Sequence, residues 1–153
     1  MDLHPTLAIL APVPLLHLED GEYVSTHKGK VAFGSRAWEF FRKLDEERDG
    51  LEVETFIYAS HTDVRDFSVT WHGRYVGHVE GVNGLHPKGR RYRPPSTLKW
   101  DDEGYWAVFW EVAGLERLAE PIPIAELHAW GTDEPYGKGF VPEGPMRVAR
   151  PAR

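Results

Sequence analysis

The chain contains no cysteine, and this absence removes several classes of protein at once. Without thiols there is no disulfide framework, no thiolate zinc site and no cysteine nucleophile. No apolar stretch approaches the ~20 residues that a membrane-spanning helix needs. The N-terminal apolar run has no Lys or Arg before it and is interrupted by Pro12 and Pro14, so it does not fit a signal peptide. We therefore expect a cytoplasmic protein that has no membrane contact.

Short motifs typical of common enzymes are missing as well. There is no Gly-x-Ser-x-Gly sequence and neither of the glycine-rich phosphate-binding motifs. The histidines are scattered, and only His72 and His78 lie on neighbouring strands of a predicted hairpin. Two ligands do not make a metal site. We therefore expect no metal and no cofactor, name no catalytic residue, and favour a binding protein over an enzyme.

The composition predicts one globular domain. Of the 153 residues 41% are apolar, which is enough for a single hydrophobic core. We assign residues 1–153 to one domain with a recognisable centre at about 30–130. The Gly- and Pro-rich tail, residues 131–153, is expected to lie over this domain and to fray from about Met146.

Hydrophobic periodicity predicts one long helix at residues 36–48, with Ser35 as its N-cap. Residues 7–18 read as an edge strand, because their prolines oppose a helix, and Asp20-Gly21 reads as a turn. The helix is followed by a change to strand periodicity. Strands are predicted at residues 53–60, 67–71, 74–82 and 105–112, a short helical turn at 124–127, and strand or helix at 115–120.

The second and third of these strands form a predicted hairpin around His72-Gly73. Glycines in its second strand indicate close packing or bulges in a curved sheet. The sum predicts an α+β domain built on a barrel-like sheet.

The charge of one segment runs against the rest of the chain. Residues 86–100, the basic segment, hold five of the 18 Lys and Arg and none of the 24 Asp and Glu, in a chain of net charge −6. Such segregation indicates an anionic partner. Tyr92 and Trp100 add aromatic planes beside the cations, as a nucleic-acid site needs. The net negative charge argues against sequence-independent coating of duplex DNA, but not against a local contact.

The order of elements resembles the EVE domain of the PUA-like superfamily, whose relatives include the YTH and ASCH domains. The resemblance covers about residues 30–130 and rests on spacing and apolar type. Matching positions are Tyr58, Ser60, Gly77, Val79, Val82, Pro121, Pro123 and Leu127. It implies a PUA-like pseudo-barrel of mixed strands with one main helix. It also implies a cleft that receives a modified or flipped-out base, with a basic rim that holds phosphates. The family's usual opening strand is not evident in this N-terminus.

The expected partner is therefore a nucleic acid, either RNA or modified DNA. In this hypothesis Trp71, at the predicted hairpin turn, or another aromatic side chain at the rim stacks on the base. Ser60 and backbone groups read the edge of the base, and His61, which follows Ser60 at the end of the buried strand, is also assigned to the site. Cations and Tyr92 of the basic segment contact the phosphates and bases; the cations are Lys88, Arg90, Arg91, Arg93 and Lys99.

Three alternatives remain open at this stage. The first is a small amidohydrolase of the ASCH type, with Thr97 and Lys99 as the residues to test. The second is an adaptor whose basic segment binds an acidic protein. The third is that the segment's cations pair with the acidic residues 101–103 and bind no partner.

Overall fold

The computed structural model describes residues 2–60, 68–131, 134–137, 140, 142 and 144–151. It contains six strands and three α-helices. In chain order these are β1 (Leu3–Pro14), α1 (Leu15–Lys28), β2 (Val31–Ser35), α2 (Trp38–Glu47), β3 (Glu52–Ser60), β4 (Ser68–Glu80), α3 (Leu98–Glu103), β5 (Val108–Pro123) and β6 (Met146–Ala149). Short 3-10 turns occupy Pro95–Thr97 and Ile124–Glu126.

All six strands form one mixed sheet in the order β2-β5-β4-β3-β1-β6. β1 runs parallel to β3, and the other neighbouring pairs are antiparallel. The prediction of an α+β fold is confirmed. The predicted barrel is not formed, because β2 and β6 end the sheet on opposite sides and no pairing joins them among the described residues. None of the described helices is both long and apolar enough to cross a bilayer.

The N-terminal region differs most from the prediction. β1 lies inside the sheet, but β6 pairs only with the middle of β1, from Leu7 to Leu10, so Pro12 and Pro14 have a neighbouring strand on one side only. Pro14 then sets the start of α1, a helix that the sequence analysis missed. Gly21 lies within this helix and not in a turn. A Cβ on it would lie 3.4 Å from the Phe33 ring, so glycine allows α1 to pack closely on the sheet.

The predicted amphipathic helix is present but begins later than expected. α2 starts at Trp38, and Ser35 is not its N-cap, although the Ser35 hydroxyl accepts a hydrogen bond from the Ala37 amide at 3.0 Å. Phe41 and Leu44 form its buried side, as the helical spacing predicted.

The predicted hairpin at His72-Gly73 is wrong, because β4 continues through these residues. Gly73 is needed for packing, since a Cβ there would lie 2.5 Å from a methyl group of Val112 on β5. The register with β5 shifts around Gly73 and again at Gly77, which has a φ of 143°. These shifts bear out the expectation that the glycines mark close packing or bulges.

The C-terminal segment completes the sheet. β5 includes residues 115–120 and ends at Pro123, and the predicted turn at 124–127 is present as the 3-10 turn. The expectation of fraying from Met146 is wrong, because β6 pairs with β1 and buries Val148 completely.

The sheet has an apolar core on each face. The larger core lies between the sheet and the first two helices and contains Phe41, Trp71, Tyr75 and Trp110. The smaller core lies on the opposite face, where Phe56 and Val69 pack with residues from the C-terminal part of the chain.

A polar cluster fastens α2 to β4 beside the larger core. The Asp45 carboxylate accepts hydrogen bonds from the Tyr75 hydroxyl at 2.7 Å and from Nε of Arg48 at 2.9 Å, and it lies 2.6 Å from Nδ1 of His78. Burial by itself raises the pKa of Asp45, but the hydrogen bonds and charges of His78, Tyr75 and Arg48 bring that pKa below its ordinary value. Burial and the nearby Asp45 carboxylate raise the pKa of Tyr75 far above its usual range.

The Asp45 carboxylate should make the free energy of unfolding depend on pH in the acid range. Because its folded-state pKa lies below the ordinary ~3.9, the carboxylate stabilises the fold above that pH, and this contribution is lost as pH falls through the lowered value. Asp45→Asn should lower the free energy of unfolding at neutral pH by about 1–3 kcal/mol and flatten its decline below about pH 4. Urea unfolding followed across this pH range measures both effects.

Asp49→Asn is the matched control. Asp49 is exposed and has a φ of 52°, a conformation that asparagine tolerates well. Its stability should stay within about 0.5 kcal/mol of the wild type at every pH. Equal losses in the two variants would show that the cluster around Asp45 is not the source.

Candidate functional site

A cleft of about 280 Å³ opens beside the basic segment. Its size is close to the lower end of the ~300–1,000 Å³ range of small-molecule sites. Five of the lining residues are aromatic side chains other than histidine. The described lining consists of Pro12, Val13, Pro14, His17, Phe33, Gly34, Arg93, Thr97, Trp100, Tyr105, Trp106 and Trp110.

Two walls of the cleft come from sheet and helix ends. The end of β1 and the start of α1 contribute one wall, where the direction of the chain changes after Pro14. β2 and the residues that lead into β5 contribute the other. There the Trp106 ring lies against Gly34, and a Cβ on residue 34 would lie 2.4 Å from Cγ of that ring. Glycine at position 34 is therefore what allows the indole to lie flat against β2.

The basic segment forms the remaining wall because it docks on the free edge of β2. The Ala32 amide donates to the Tyr92 carbonyl at 2.8 Å, and the Arg93 guanidinium donates to the Ala32 carbonyl at 2.8 Å. The segment then turns into α3, which carries Trp100 to the cleft. The hydrogen bonds between Ala32 and the basic segment thus cover the free edge of β2 and also hold the third wall of the cleft in place.

A buried ion pair fixes this wall. Nε and one terminal nitrogen of Arg93 reach Asp101 at 3.0 and 2.8 Å, and the side chains are 1% and 8% exposed. Arg90 also donates to Asp101 at 2.7 Å, and the Thr97 hydroxyl oxygen lies 3.1 Å from the same carboxylate. Burial lowers the pKa of Arg93, and Asp101 opposes that effect. The prediction that Arg93 contacts phosphates is corrected, because its guanidinium is already paired inside the protein.

A second ionic cluster holds the beginning of the basic segment. Nε2 of His86 lies 3.3 Å from Glu111, and Nδ1 of His86 accepts a hydrogen bond from the Lys88 amide at 3.0 Å. Lys30 also reaches Glu111, at 3.1 Å. Burial by itself raises the pKa of Glu111, but hydrogen bonds and charges from His86 and Lys30 bring it below its ordinary value. Lys30 and Arg91 both lie over the Tyr92 ring, at 4.8 and 5.3 Å from its centroid.

Behind the cleft, the side chains of His17, Ser96 and Asp20 form a chain of hydrogen bonds. The Ser96 hydroxyl donates to Asp20 at 2.8 Å, and Nδ1 of His17 lies 2.7 Å from the same hydroxyl oxygen. Because the serine has one proton and gives it to the carboxylate, Nδ1 of His17 carries the hydrogen that completes the chain. A nucleophilic serine needs the reverse order, in which histidine accepts the serine proton. The chain therefore orients the His17 ring in the wall of the cleft.

The remaining predicted residues fall into two groups. Lys88, Arg91 and Lys99 are exposed, Tyr92 is half-buried, and the Arg90 side chain is 41% exposed but paired with Asp101. The possibility that the segment pairs with its acidic neighbours therefore holds for Arg90 and Arg93. Of the two residues named for an amidohydrolase, Thr97 lines the cleft with its hydroxyl engaged, and Lys99 is exposed on α3.

Trp71 and Ser60, which were predicted to contact the base, are not among the described residues of the cleft wall. Trp71 is 2% exposed in the larger core, where Arg117 lies over its ring at 4.8 Å, so its predicted position at a rim is wrong. The error follows from the hairpin that is not formed. Ser60 ends β3 and pairs in register with Pro14, which does line the cleft. His61 lies outside the described residues.

The N-terminal wall and one cation at the rim were not predicted from the sequence. Arg36 lies over the ring of Tyr105, 5.1 Å from its centroid, and both side chains are exposed. In the sequence, Gly34 was the one indication of a close contact in this part of the cleft, because it is a glycine between an apolar strand and a helix. Among the described residues, no group of three or more His, Asp or Glu is arranged to hold a metal ion.

Comparison of the chain with protein-family models, with curated proteins and with solved structures finds no match. The resemblance to EVE domains therefore stays a prediction.

Asp101→Asn should be strongly destabilising, because it leaves the buried Arg93 guanidinium without its counter-charge. The expected cost is about 3–5 kcal/mol of unfolding free energy. Asp102→Asn is the control, since the neighbouring carboxylate is exposed, and it should cost no more than about 0.5 kcal/mol. Urea unfolding compares the two variants. Similar costs would mean that the ion pair does not hold the segment in place.

Proposed function

We propose that this protein binds nucleic acid and takes one base into the aromatic cleft beside the basic segment. The observation that carries the proposal is the combination of an aromatic, concave wall with exposed cations on the same piece of chain. A flat surface beside the segment would instead have favoured a protein adaptor.

The aromatic lining supports base stacking. Trp100, Tyr105 and Trp106 offer ring faces that are only partly covered by protein, while Phe33 and Trp110 form the floor. Stacking of a base on an aromatic side chain contributes about 1–3 kcal/mol and tolerates many bases. A base inside a duplex cannot enter such a cleft, so the ligand is single-stranded or presents a flipped-out nucleotide.

The cations of this interface differ from the set predicted from sequence. Lys88, Arg91 and Lys99 are exposed, and Arg36 lies over Tyr105 at the rim. These four are the proposed phosphate contacts, because Arg93 is buried and the Arg90 guanidinium is already bonded to Asp101. The net charge of −6 opposes general attraction to polyanions, so binding depends on this local group.

Neutralising two of these cations should reduce the dependence of binding on salt. In Arg91→Gln/Lys99→Gln, the slope of log affinity against log salt for a short single strand should fall by about 1.4, since each lost contact removes ~0.7. Fluorescence anisotropy over a salt series measures the slope. The control, Arg42→Gln/Lys43→Gln, makes the same charge change on exposed residues of α2 and should leave the slope unchanged. A slope that stays at the wild-type value in both would rule out the basic segment as the contact.

Adding one methyl group in the cleft should impair the stacking of the base. In Gly34→Ala the new Cβ would overlap the Trp106 ring, which must then move. Affinity should fall about 5- to 150-fold, the equivalent of ~1–3 kcal/mol of stacking, with the salt slope retained. Gly144→Ala is the control, because among the described residues that are not its chain neighbours no atom lies within 4 Å of the added Cβ, and no positive φ opposes it. If both variants bind as tightly as the wild type, the base does not enter this cleft.

A further inference from the structure

Two buried side-chain polar atoms lack a hydrogen-bond partner among the described residues, Oε1 of Glu47 and Nε1 of Trp106. Only Trp106 belongs to the cleft. A buried N–H group without an acceptor costs about 1–3 kcal/mol, which is why native proteins contain few of them. Nε1 of Trp106 has almost no exposed surface, so a ligand acceptor would reach it after a small shift of the ring or of the residues that cover it. Such a donor beside a binding site therefore points to an acceptor that arrives with the ligand.

The position of the indole supports this interpretation. The five-membered ring of Trp106, which carries Nε1, lies over Gly34: its Cγ, Cδ1 and Cδ2 would be 2.4, 2.5 and 2.5 Å from a Cβ there, and Gly34 itself lines the cleft. The nitrogen-bearing ring of the indole is thus held at the wall shared by β2 and the residues before β5. Tryptophan nitrogen is only ever a donor, so the ligand must supply the acceptor.

Three other polar side chains in the lining already have partners inside the protein. Nδ1 of His17 is bonded to Ser96, the Thr97 hydroxyl donates to the Pro94 carbonyl at 2.7 Å, and Arg93 is paired with Asp101. None of the described lining residues is acidic. A cationic ligand would therefore find aromatic faces but no counter-charge, whereas a neutral ligand with an acceptor on its edge would satisfy Trp106.

We propose that the Trp106 N–H is a specificity-determining donor of the cleft, and that it selects neutral planar ligands with a carbonyl or imine acceptor on the inserted edge. This inference rests on the proposed function, because it uses the same cleft. Stacking on the rings selects for a flat ligand, and the indole donor selects for the chemistry of the ligand's edge.

The test uses single-stranded homopolymers of each base, with Trp106→Phe and Trp38→Phe. The first variant keeps an aromatic ring and removes the N–H, and the second changes an exposed tryptophan on α2 as the control. Thymine and adenine strands are also compared with strands of their apolar isosteres, difluorotoluene and methylindole. Trp106→Phe should weaken binding of the tightest strand about tenfold, and Trp38→Phe should not.

The isosteres should bind the wild-type protein about tenfold more weakly than the natural bases, and Trp106→Phe should bind both alike, as a double-mutant cycle requires. The Trp106 indole N–H resonance should move downfield only with natural bases. If the strands bind the wild-type protein, and neither the Trp106→Phe change nor the apolar isosteres weaken binding, this inference is overturned and the proposed function stands. Failure of all four homopolymers to bind the wild-type protein overturns both.

Discussion

The ion pair between Arg93 and Asp101 is the interaction on which the rest of the site depends. It is buried, it gathers Arg90 and Thr97 around one carboxylate, and through Arg93 it reaches the carbonyl of Ala32 on β2. Separating such a pair is costly because either charge would remain alone in an apolar surrounding. The pair therefore gives the basic segment a defined path across the edge of the sheet. Without that path the cleft would have two walls and no third.

Close backbone and ring contacts allow the elements to meet at the cleft. Gly21 brings α1 onto β2, Gly73 brings β4 onto β5, and Gly34 leaves room for an indole. Each of these glycines is explained by a neighbour that a Cβ would touch and not by a turn. Two rings of the aromatic wall follow from this packing, because Trp106 and Phe33 occupy the space beside Gly34 and Gly21.

The elements that could be predicted from the sequence are those with a strong local pattern. α2 shows clear helical spacing, and the apolar run of β3 is a buried strand, as expected. α1 was not predicted because it follows two prolines and contains Gly21, both of which oppose a helix locally. Only the packing of α1 against the sheet explains why this segment is helical. The hairpin was wrong because His72-Gly73 resembles a turn locally, while pairing on both sides keeps β4 extended.

The site was predictable in position but not in detail. The charge pattern located the basic segment, and the segment does form a wall of the cleft. Which cations are exposed could not be read from the sequence, since Arg91 and Arg93 lie two residues apart yet only Arg93 meets Asp101. The N-terminal wall depends on long-range pairing of β1 with β3, which no local pattern reports.

The pairing of β1 with both β3 and β6 has a consequence for the order of folding. β1 is synthesised first, but its partner β6 emerges from the ribosome after every other strand. Until then Leu7 to Leu10 present an unpaired apolar edge, which is a template for association with other chains. The sheet is therefore completed late and through contacts of high sequence separation, a topology that slows folding relative to helical proteins. The short β6 strand ends this exposure by pairing with the edge of β1.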